Sequence, residues 1–574
     1  MVREQVKLEP GLPEGGLALG LWGCVRRAVG LEWRRTIPDV KSKFVKFLLW
    51  CGVFGLLGVI ILWIEHGRCA AQLAAYQRTL TARGDKLTLR ELLPPDPPAA
   101  SNAAVVLKRL SLRFSHQPEE VPWMELVSSN AARVALQHNP LVQTSRDLTW
   151  ESLADVANAN TNQLAEIAAA SQLPRLATLT RTNLGRILEG SIDTVDVNQF
   201  QEWLGFHALV TAREGRTNEA WESWRALLRL SVLSVGEASI FLGSESFADG
   251  PFNVTWELLQ HPDWTEAQLA EAQVLWSRRH HLSTSPAAEQ LARAFVFEMF
   301  DELRRKPAYV AMVSGGAAFM SAMSSSSSGS FPSFDWAALI SNPKPVWDFV
   351  SDAGPTIVAW PAWTSYGDEL WLLREFDRSD AAVRTAVASN SVLVALAQFR
   401  AASPPPPSRW WPLARILSEM KVMEAAFARS VAGETQARLA VTALALRRHQ
   451  LAHRQLPATL AELVPQFLPR VPDDPMDGKP LRYRARPDGS FLLYSIGWDG
   501  KDDGGDATEP PPTASHPADW LSFGNGDDSR WQKGRDWIWP LAATAEEVER
   551  HAASLLKTRT PGPGIPLPPP PPPP

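Results

Sequence analysis

The sequence predicts a mainly α-helical protein with a single N-terminal transmembrane helix, an α-helical bundle, and a small α+β module with a short antiparallel sheet near the C-terminus. Three observations predict this: a long apolar run near the N-terminus, a 3.6-residue hydrophobic period over most of the later chain, and period-two alternation confined to a short region after residue 480. The 574 residues, 45% of them hydrophobic, suffice for several core-forming domains and exclude wholesale disorder.

The apolar run is the strongest feature of the sequence. Residues 47–64 are 18 consecutive uncharged, mostly apolar residues. Residues 44–65 are long enough to cross about 30 Å of hydrocarbon at about 1.5 Å per residue. Trp50 and Trp63 stand toward the two ends, where indole rings favour the membrane interface. We therefore predict a transmembrane helix over residues 44–65.

The charges that flank this run predict its orientation. Residues 1–46 hold nine Lys and Arg residues, whereas the sequence after the run begins with Glu65. The positive-inside rule then places residues 1–43 in the cytoplasm and the chain after residue 65 on the other side of the membrane. A cleaved signal peptide is disfavoured because the charged leader is long and no small-x-small cleavage pattern follows the run.

Charge and cysteine content exclude several classes of protein. The formal net charge of -5 gives no electrostatic basis for binding nucleic acid, since proteins that bind the phosphate backbone normally carry a basic excess. The cysteines are Cys24, Cys51 and Cys69. The chain after Cys69 therefore has no internal disulfide, no thiolate metal site and no cysteine nucleophile.

Residues 66–400 read as amphipathic helices separated by Pro and Gly residues, which predicts a helical domain. Apolar side chains at helical spacing predict one helix over 151–173 and a helix pair over 199–235 that bends at Gly215. Thr265 and Gln268 form a capping box that opens another helix. The segment around Gly215 also resembles one tetratricopeptide unit, but stacked repeats need about three copies, so an ordinary helical hairpin is favoured.

Two low-complexity segments separate the predicted parts. Residues 314–330 are rich in Ser and Gly and predict an exposed loop or linker. Residues 401–409 include a run of prolines, Pro404 to Pro407, that cannot continue a helix and favours a stiff spacer. The predicted divisions are therefore a helical domain over 66–400, a linker over 401–409 and a C-terminal module over 410–540.

The C-terminal module begins with a predicted long helix over 411–452, whose apolar residues lie mostly toward one side. A short helix bracketed by prolines follows. The pattern then changes to two predicted strands, over 480–484 and 490–496, joined through Pro487-Asp488-Gly489. The sequence thus predicts a long helix followed by a β-hairpin.

A series of motifs follows the long helix, in the order Asp474-Pro475, Gly478, Tyr483, Ser495-x-Gly497-x-Asp499-Gly500 and Gly504-Gly505. Together with the helix, these motifs resemble the C-terminal half of the major pseudopilin of type II secretion systems. The resemblance covers about a hundred of the 574 residues. It implies a small antiparallel sheet packed on the helix and a calcium ion in the final loop. The family's processing site before an apolar helix is missing, and Met476 stands where an aromatic residue is expected.

The whole chain also resembles uncharacterised single-span bacterial envelope proteins that end in such a module and an Asp-x-x-Trp-Pro stretch, here residues 536–540. This resemblance implies anchoring in the bacterial inner membrane with most of the chain in the periplasm. It implies no activity.

Four aspartates, Asp499, Asp502, Asp503 and Asp506, lie in a glycine-rich loop after the second predicted strand. Carboxylate and backbone carbonyl oxygens are the ligands that Ca²⁺ prefers in proteins. The loop is not an EF-hand, because Pro510 occupies the position of the bidentate acid. With the resemblance, this composition predicts a calcium site formed by the four aspartates. A solvated acidic turn is the alternative.

Sequence motifs for catalysis are missing. The sequence has no His-Glu-x-x-His, no Gly-x-Ser-x-Gly, no phosphate-binding loop and no dinucleotide fingerprint. Ser418 and Lys421 match a Ser-x-x-Lys nucleophile pattern, but its companion motifs are missing, so a chance match is favoured. Solvation and the helix dipole explain His280 and His281 at a predicted helix end. The sequence therefore predicts no catalytic residue and no cofactor other than calcium.

Residues 541–574 begin with a predicted helix from Thr544 and end in prolines Pro568 to Pro574, either a ligand for an aromatic groove or a spacer. The preferred hypothesis is a non-enzymatic envelope protein whose helical domain and pseudopilin-like module bind protein partners outside the membrane. The alternative is a membrane-anchored hydrolase whose site is assembled from residues distant in sequence.

Overall fold

A computed structural model describes residues 41–114, 150–182, 195, 197–237, 249–282, 285–306, 360–402, 412–419, 422–508 and 534–541. It is mainly helical and has a short antiparallel sheet near the C-terminus, which confirms the predicted fold class. The α-helices are α1 Lys41–Ala82, α2 Leu89–Leu92, α3 Ala103–Phe114, α4 Trp150–Ala159, α5 Thr161–Ala170, α6 Val197–Arg213, α7 Thr217–Glu237, α8 Asp249–Leu258, α9 Glu266–Ser277, α10 Ser285–Arg305, α11 Ser365–Ser389, α12 Val392–Ala401, α13 Pro412–Glu419 and α14 Val422–His453.

Helix α1 contains the predicted apolar run. Within the described part of the chain, it is the one helix long and apolar enough to cross a membrane. Most of its large apolar side chains between residues 49 and 64, including Trp50 and Trp63, are exposed. The chain divides into two compact units, Met1–Glu65 and His66–Pro574. These features agree with anchoring by a single N-terminal helix.

In the second unit, the last turns of α1 belong to a hydrophobic cluster formed with α10 and α11. Leu73 and Leu80 are buried in this cluster, together with Phe297 of α10. The Tyr76 hydroxyl also donates a 2.8 Å hydrogen bond to Oδ1 of Asp377 on α11. The C-terminal end of α1 is therefore part of a folded core.

The helical bundle follows most of the predicted pattern. Helices α6 and α7 form the predicted hairpin, with Gly215 at φ +76 in the bend, and the capping box of Thr265 opens α9. The prediction of one helix over 151–173 is wrong, because α4 and α5 are separate helices that meet at Asn160. Nδ2 of Asn160 donates to the Val156 carbonyl (2.9 Å), and an asparagine that bonds the local backbone in this way competes with helix continuation.

The C-terminal sheet has the strand order β1-β2-β3, with β1 Arg482–Ala485, β2 Phe491–Ile496 and β3 Asp536–Ile538. Strands β1 and β2 form the predicted antiparallel hairpin, in which Tyr483 faces Leu493 across the ladder. Strand β3 was not predicted from the sequence. It pairs with β2 so that Ser495 lies opposite Trp537.

The residues on the two sides of the predicted 401–409 linker share one hydrophobic core. The amide of Val392 at the start of α12 donates to the Pro475 carbonyl (2.8 Å), and Trp256 of α8 donates through Nε1 to the Pro540 carbonyl (2.6 Å). Most of that linker lies outside the described residues. The same holds for residues 1–40, the predicted loop at 314–330, and the predicted tail helix and proline run of residues 542–574.

Candidate functional site

The four aspartates predicted to bind calcium lie in the loop that follows β2, and three of them accept hydrogen bonds close by in the chain. Oδ1 of Asp499 accepts from the Lys501 amide (3.0 Å), and Oδ1 of Asp506 accepts from the Thr508 amide (2.9 Å). Oδ1 of Asp502 accepts from the Tyr494 hydroxyl (2.8 Å) and the Gly504 amide (3.1 Å). The side chain of Asp503 is exposed.

Two arginines lie near this loop and oppose its negative charge. Nε of Arg482 is 3.6 Å from Oδ2 of Asp502, and Nε of Arg535 is 3.6 Å from Oδ2 of Asp506. Burial alone would raise the pKa of Asp502, but the bonds from Tyr494 and Gly504 and the Arg482 charge outweigh it, so that pKa is lowered. The pKa of Asp506 is lowered chiefly by the bond from the Thr508 amide. The ionised forms of both side chains are therefore stabilised.

A fifth aspartate, Asp536, holds the backbone of the same loop. It is fully buried at the start of β3, and its Oδ2 accepts from the amides of Gly505 (2.7 Å) and Asp506 (3.1 Å). The Asp503 amide also donates to the Asp536 carboxylate. Oδ1 of Asp536 is buried without a hydrogen-bond partner. Burial raises the pKa of Asp536 to about 6. Sequence reasoning noted the Asp-x-x-Trp-Pro stretch but gave Asp536 no role.

The predicted metal ligands are not gathered into a common cage. Among the described residues, which include all four predicted aspartates, no three His, Cys, Asp or Glu side chains are grouped as ligands of one ion. Asp536 could supply one more carboxylate ligand, because its buried Oδ1 has no hydrogen-bond partner. Calcium binding by Asp499, Asp502, Asp503 and Asp506 therefore stays a prediction.

Within the described residues, a histidine and a serine of the α6–α7 hairpin lie in hydrogen-bond contact, as a base and a nucleophile would. Nδ1 of His207 is 2.8 Å from Oγ of Ser223, and both side chains are buried in the helical core. Nε2 of His207 is also buried and has no hydrogen-bond partner, so no third group orients the ring. Lys421 of the Ser-x-x-Lys match, which was interpreted as a chance match, lies outside the described residues. Because His207 and Ser223 are both buried, this pair lacks the access to substrate that acyl transfer requires.

An open groove lies on a different part of the second unit. We call it the α9–α14 groove, because its lining comes from α9 and the residues after it, the end of α11, helix α14 and residues 465–475. Its volume is about 880 Å³, within the usual range for ligand sites. Buried Ala386 and Ala437 form part of its lining, and exposed Val274 and Val387 stand along it.

The polar lining of the α9–α14 groove is dominated by arginines. Arg438 donates from Nε to Oε1 of Glu434 (3.0 Å) and from Nη1 to the Asp473 carbonyl (2.8 Å). Arg470 donates from Nη1 to Oδ2 of Asp473 (2.9 Å). Arg448 donates from Nη1 to Oε1 of Gln273 (2.8 Å). These contacts hold the arginines in place around the groove.

Sequence reasoning did not find this groove, because its walls come from four segments that are far apart in the chain. Two of its lining residues had been noted for other reasons: Pro475 belongs to the Asp-Pro motif, and His280 was placed at a solvated helix end, where it is exposed. Comparison of the chain with protein-family models, with curated proteins and with solved structures gave no match.

Proposed function

We propose that this protein is a membrane-anchored, non-enzymatic interaction protein of the bacterial envelope, and that the α9–α14 groove binds a protein partner. The observation that carries the proposal is the groove itself. It combines a volume of about 880 Å³ with exposed apolar side chains at Val274 and Val387. A concave site lined by apolar side chains and a few polar groups is typical of binding sites.

Site-directed photocrosslinking in cells tests this function. A benzoylphenylalanine placed at Val274 or Val387 should give a discrete covalent adduct with one partner, because both side chains are exposed in the groove. The matched control is Val105 on α3, a valine that is 39% exposed and does not line the groove. Adducts that are identical at all three positions, or missing at both groove positions, would contradict the proposal.

For the topology, we propose a cytoplasmic N-terminal segment over 1–43 and a periplasmic location for the chain after residue 65, in the bacterial inner membrane. The excess of Lys and Arg before the apolar run supports this orientation. A periplasm-active reporter fused after residue 100 should give signal, and a cytoplasm-active reporter fused there should not. The opposite pattern would reverse the orientation.

We further propose that the C-terminal module is pseudopilin-like and that calcium orders its loop. The antiparallel β1–β2 hairpin beside α14 and the nearby Asp536 oxygen without a partner support this proposal. Calorimetric titration of the full chain in lipid nanodiscs should show calcium binding that Asp499→Ala weakens. Asp488→Ala, at the exposed hairpin turn, is the control. No heat at millimolar calcium would remove this part of the proposal and leave the interaction function standing.

A further inference from the structure

We infer that the occupant of the α9–α14 groove is an extended acidic peptide segment that also carries apolar side chains. This inference rests on the proposed interaction function and names the chemistry of its partner. It follows from the position of the exposed valines, the exposure of the groove's charged groups and the proline content of one wall.

The first step concerns exposed apolar surface. Outside the anchor helix, the large hydrophobic side chains that are exposed in the described residues are five valines, and two of them line the groove. Val274 and Val387 line it and are 48% and 53% exposed, and Val464 directly precedes the lining residue Pro465. Aliphatic side chains of a partner would bury this surface at about 25 cal/mol per Å².

The second step concerns charge. The lining includes four arginines but only two carboxylates, Glu434 and Asp473. The side chains of Glu434 and Asp473 are 9% and 21% exposed, and those of Arg438 and Arg470 are 25% and 75% exposed. The other two arginines are recessed, since the side chain of Arg448 is 15% exposed and paired with Glu266, and Arg279 is buried. The most exposed charged side chain of the lining is therefore Arg470, and arginines outnumber carboxylates in the lining, which favours Asp or Glu side chains in the partner.

The third step concerns the wall formed by residues 465–475. Four of its lining residues are prolines, namely Pro465, Pro469, Pro472 and Pro475. Proline has no backbone N–H, so this wall cannot supply the ladder of hydrogen bonds by which a peptide is added to a sheet edge. We therefore expect recognition to depend mainly on side chains, through apolar contacts with the valines and ion pairs with the arginines.

Fluorescence anisotropy of the full chain in lipid nanodiscs tests the inference. The probes are three labelled 12-residue peptides that alternate Leu with Glu, Leu with Lys, or Leu with Ser. We expect the Leu–Glu peptide to bind at least tenfold more tightly than the other two, with an affinity that falls severalfold between 50 and 300 mM NaCl. Equal binding of all three peptides, or preference for the Leu–Lys peptide, would overturn the inference.

Two groove variants and a matched control assign the binding to this surface. Arg470→Glu should weaken the Leu–Glu peptide at least tenfold, and Val387→Asp should weaken it at least fivefold, because each adds repulsion within the groove. The side chain of Arg305 on α10 is 72% exposed, so Arg305→Glu makes the same charge change outside the groove and should leave the affinity unchanged. Equal effects of Arg470→Glu and Arg305→Glu would overturn the inference.

The crosslinking and peptide experiments separate the two proposals. An adduct from Val387 without selective binding of the Leu–Glu peptide would keep the interaction function and reject the acidic partner. Selective binding of the peptide without a cellular adduct would keep the chemistry of the groove and reject its use for a protein partner.

Discussion

Oγ of Ser495 donates a 2.6 Å hydrogen bond to Oδ1 of Asp474, which joins the Asp-Pro turn to the central strand of the C-terminal sheet. The Asp474 carboxylate is fully buried and also accepts from the amides of Met476 and Ile496 (2.9 Å each) and from Nη1 of Arg482 (2.6 Å). Burial raises the pKa of Asp474, and these hydrogen bonds oppose that shift. One side chain thus holds three segments of the module together.

This arrangement predicts unequal costs for removing the two partners. Asp474→Ala should destabilise the protein by about 3 kcal/mol, because it leaves several buried donors and the half-buried Arg482 without their acceptor. Ser495→Ala should cost about 1 kcal/mol, because it removes one hydrogen bond. Urea unfolding followed by Trp fluorescence measures both, since Trp498 and Trp537 pack edge to face in this module. Equal losses would contradict the central role of Asp474.

A second prediction concerns Gly433 in the middle of α14. Helix propensity alone favours alanine over glycine there by about 1 kcal/mol. However, a Cβ at residue 433 would lie 2.7 Å from the His281 ring, and the His281 amide is held by Oε2 of Glu434 (3.1 Å). Gly433→Ala should therefore destabilise the protein by about 2 kcal/mol, as overpacking of a core does.

Thermal unfolding of three variants checks this explanation. Gly250→Ala in α8 is the control, because no atom lies within 4 Å of a Cβ at that helical position, and it should be neutral or slightly stabilising. The double variant Gly433→Ala with His281→Ala should be more stable than Gly433→Ala alone. If the double variant is no more stable than Gly433→Ala, contact with the His281 ring is not what destabilises Gly433→Ala.

The sequence was informative where structure depends on neighbours in the chain. The apolar run of α1, the bend at Gly215 and the turn around Gly489 each depend on local preferences, and each was predicted correctly. Strand β3 was missed because it has only three residues, Asp536–Ile538, and pairs with a strand that ends forty positions earlier at Ile496. The role of Asp536 was missed for the same reason, since its partners are amides some thirty residues away.

The third prediction concerns pH and Asp368 on α11. Its Oδ2 accepts from Nε1 of Trp360 (2.6 Å), its Oδ1 accepts from the Ala414 amide (2.7 Å), and burial raises its pKa to about 7. A carboxyl whose pKa is raised on folding favours the folded state most at low pH, and this contribution is lost as pH rises from about 4 to about 7. The wild type should therefore lose stability relative to Asp368→Asn across that range.

Melting temperatures of the wild type and Asp368→Asn between pH 5 and pH 8 measure this effect. The variant should be the less stable protein at pH 5, because an amide can accept only one of the two hydrogen bonds that the carboxyl group receives. The difference in melting temperature between the two proteins should narrow toward pH 8, where the wild type carries the buried charge. The pKa of neighbouring Glu369 is also raised to about 7 by burial, but Glu369 titrates in both proteins. A gap that does not change with pH would contradict the prediction.

The last prediction separates the structural role of Asp536 from metal binding. Asp536→Ala removes the acceptor of three loop amides and should lower the amide hydrogen-exchange protection of residues 503–506 at least tenfold. Asp536→Asn keeps one oxygen for those amides and places its NH₂ group where the buried Oδ1 has no partner, so protection at pH 8 should be retained.

Because burial raises the pKa of Asp536 to about 6, the wild type should also lose stability relative to Asp536→Asn between about pH 4 and pH 6. If the Asp536 carboxylate also binds calcium, Asp536→Asn should keep the hydrogen-exchange protection of residues 503–506 without calcium but should bind calcium more weakly. If both variants lose protection equally, the carboxylate charge, and not the hydrogen-bond geometry, orders the loop.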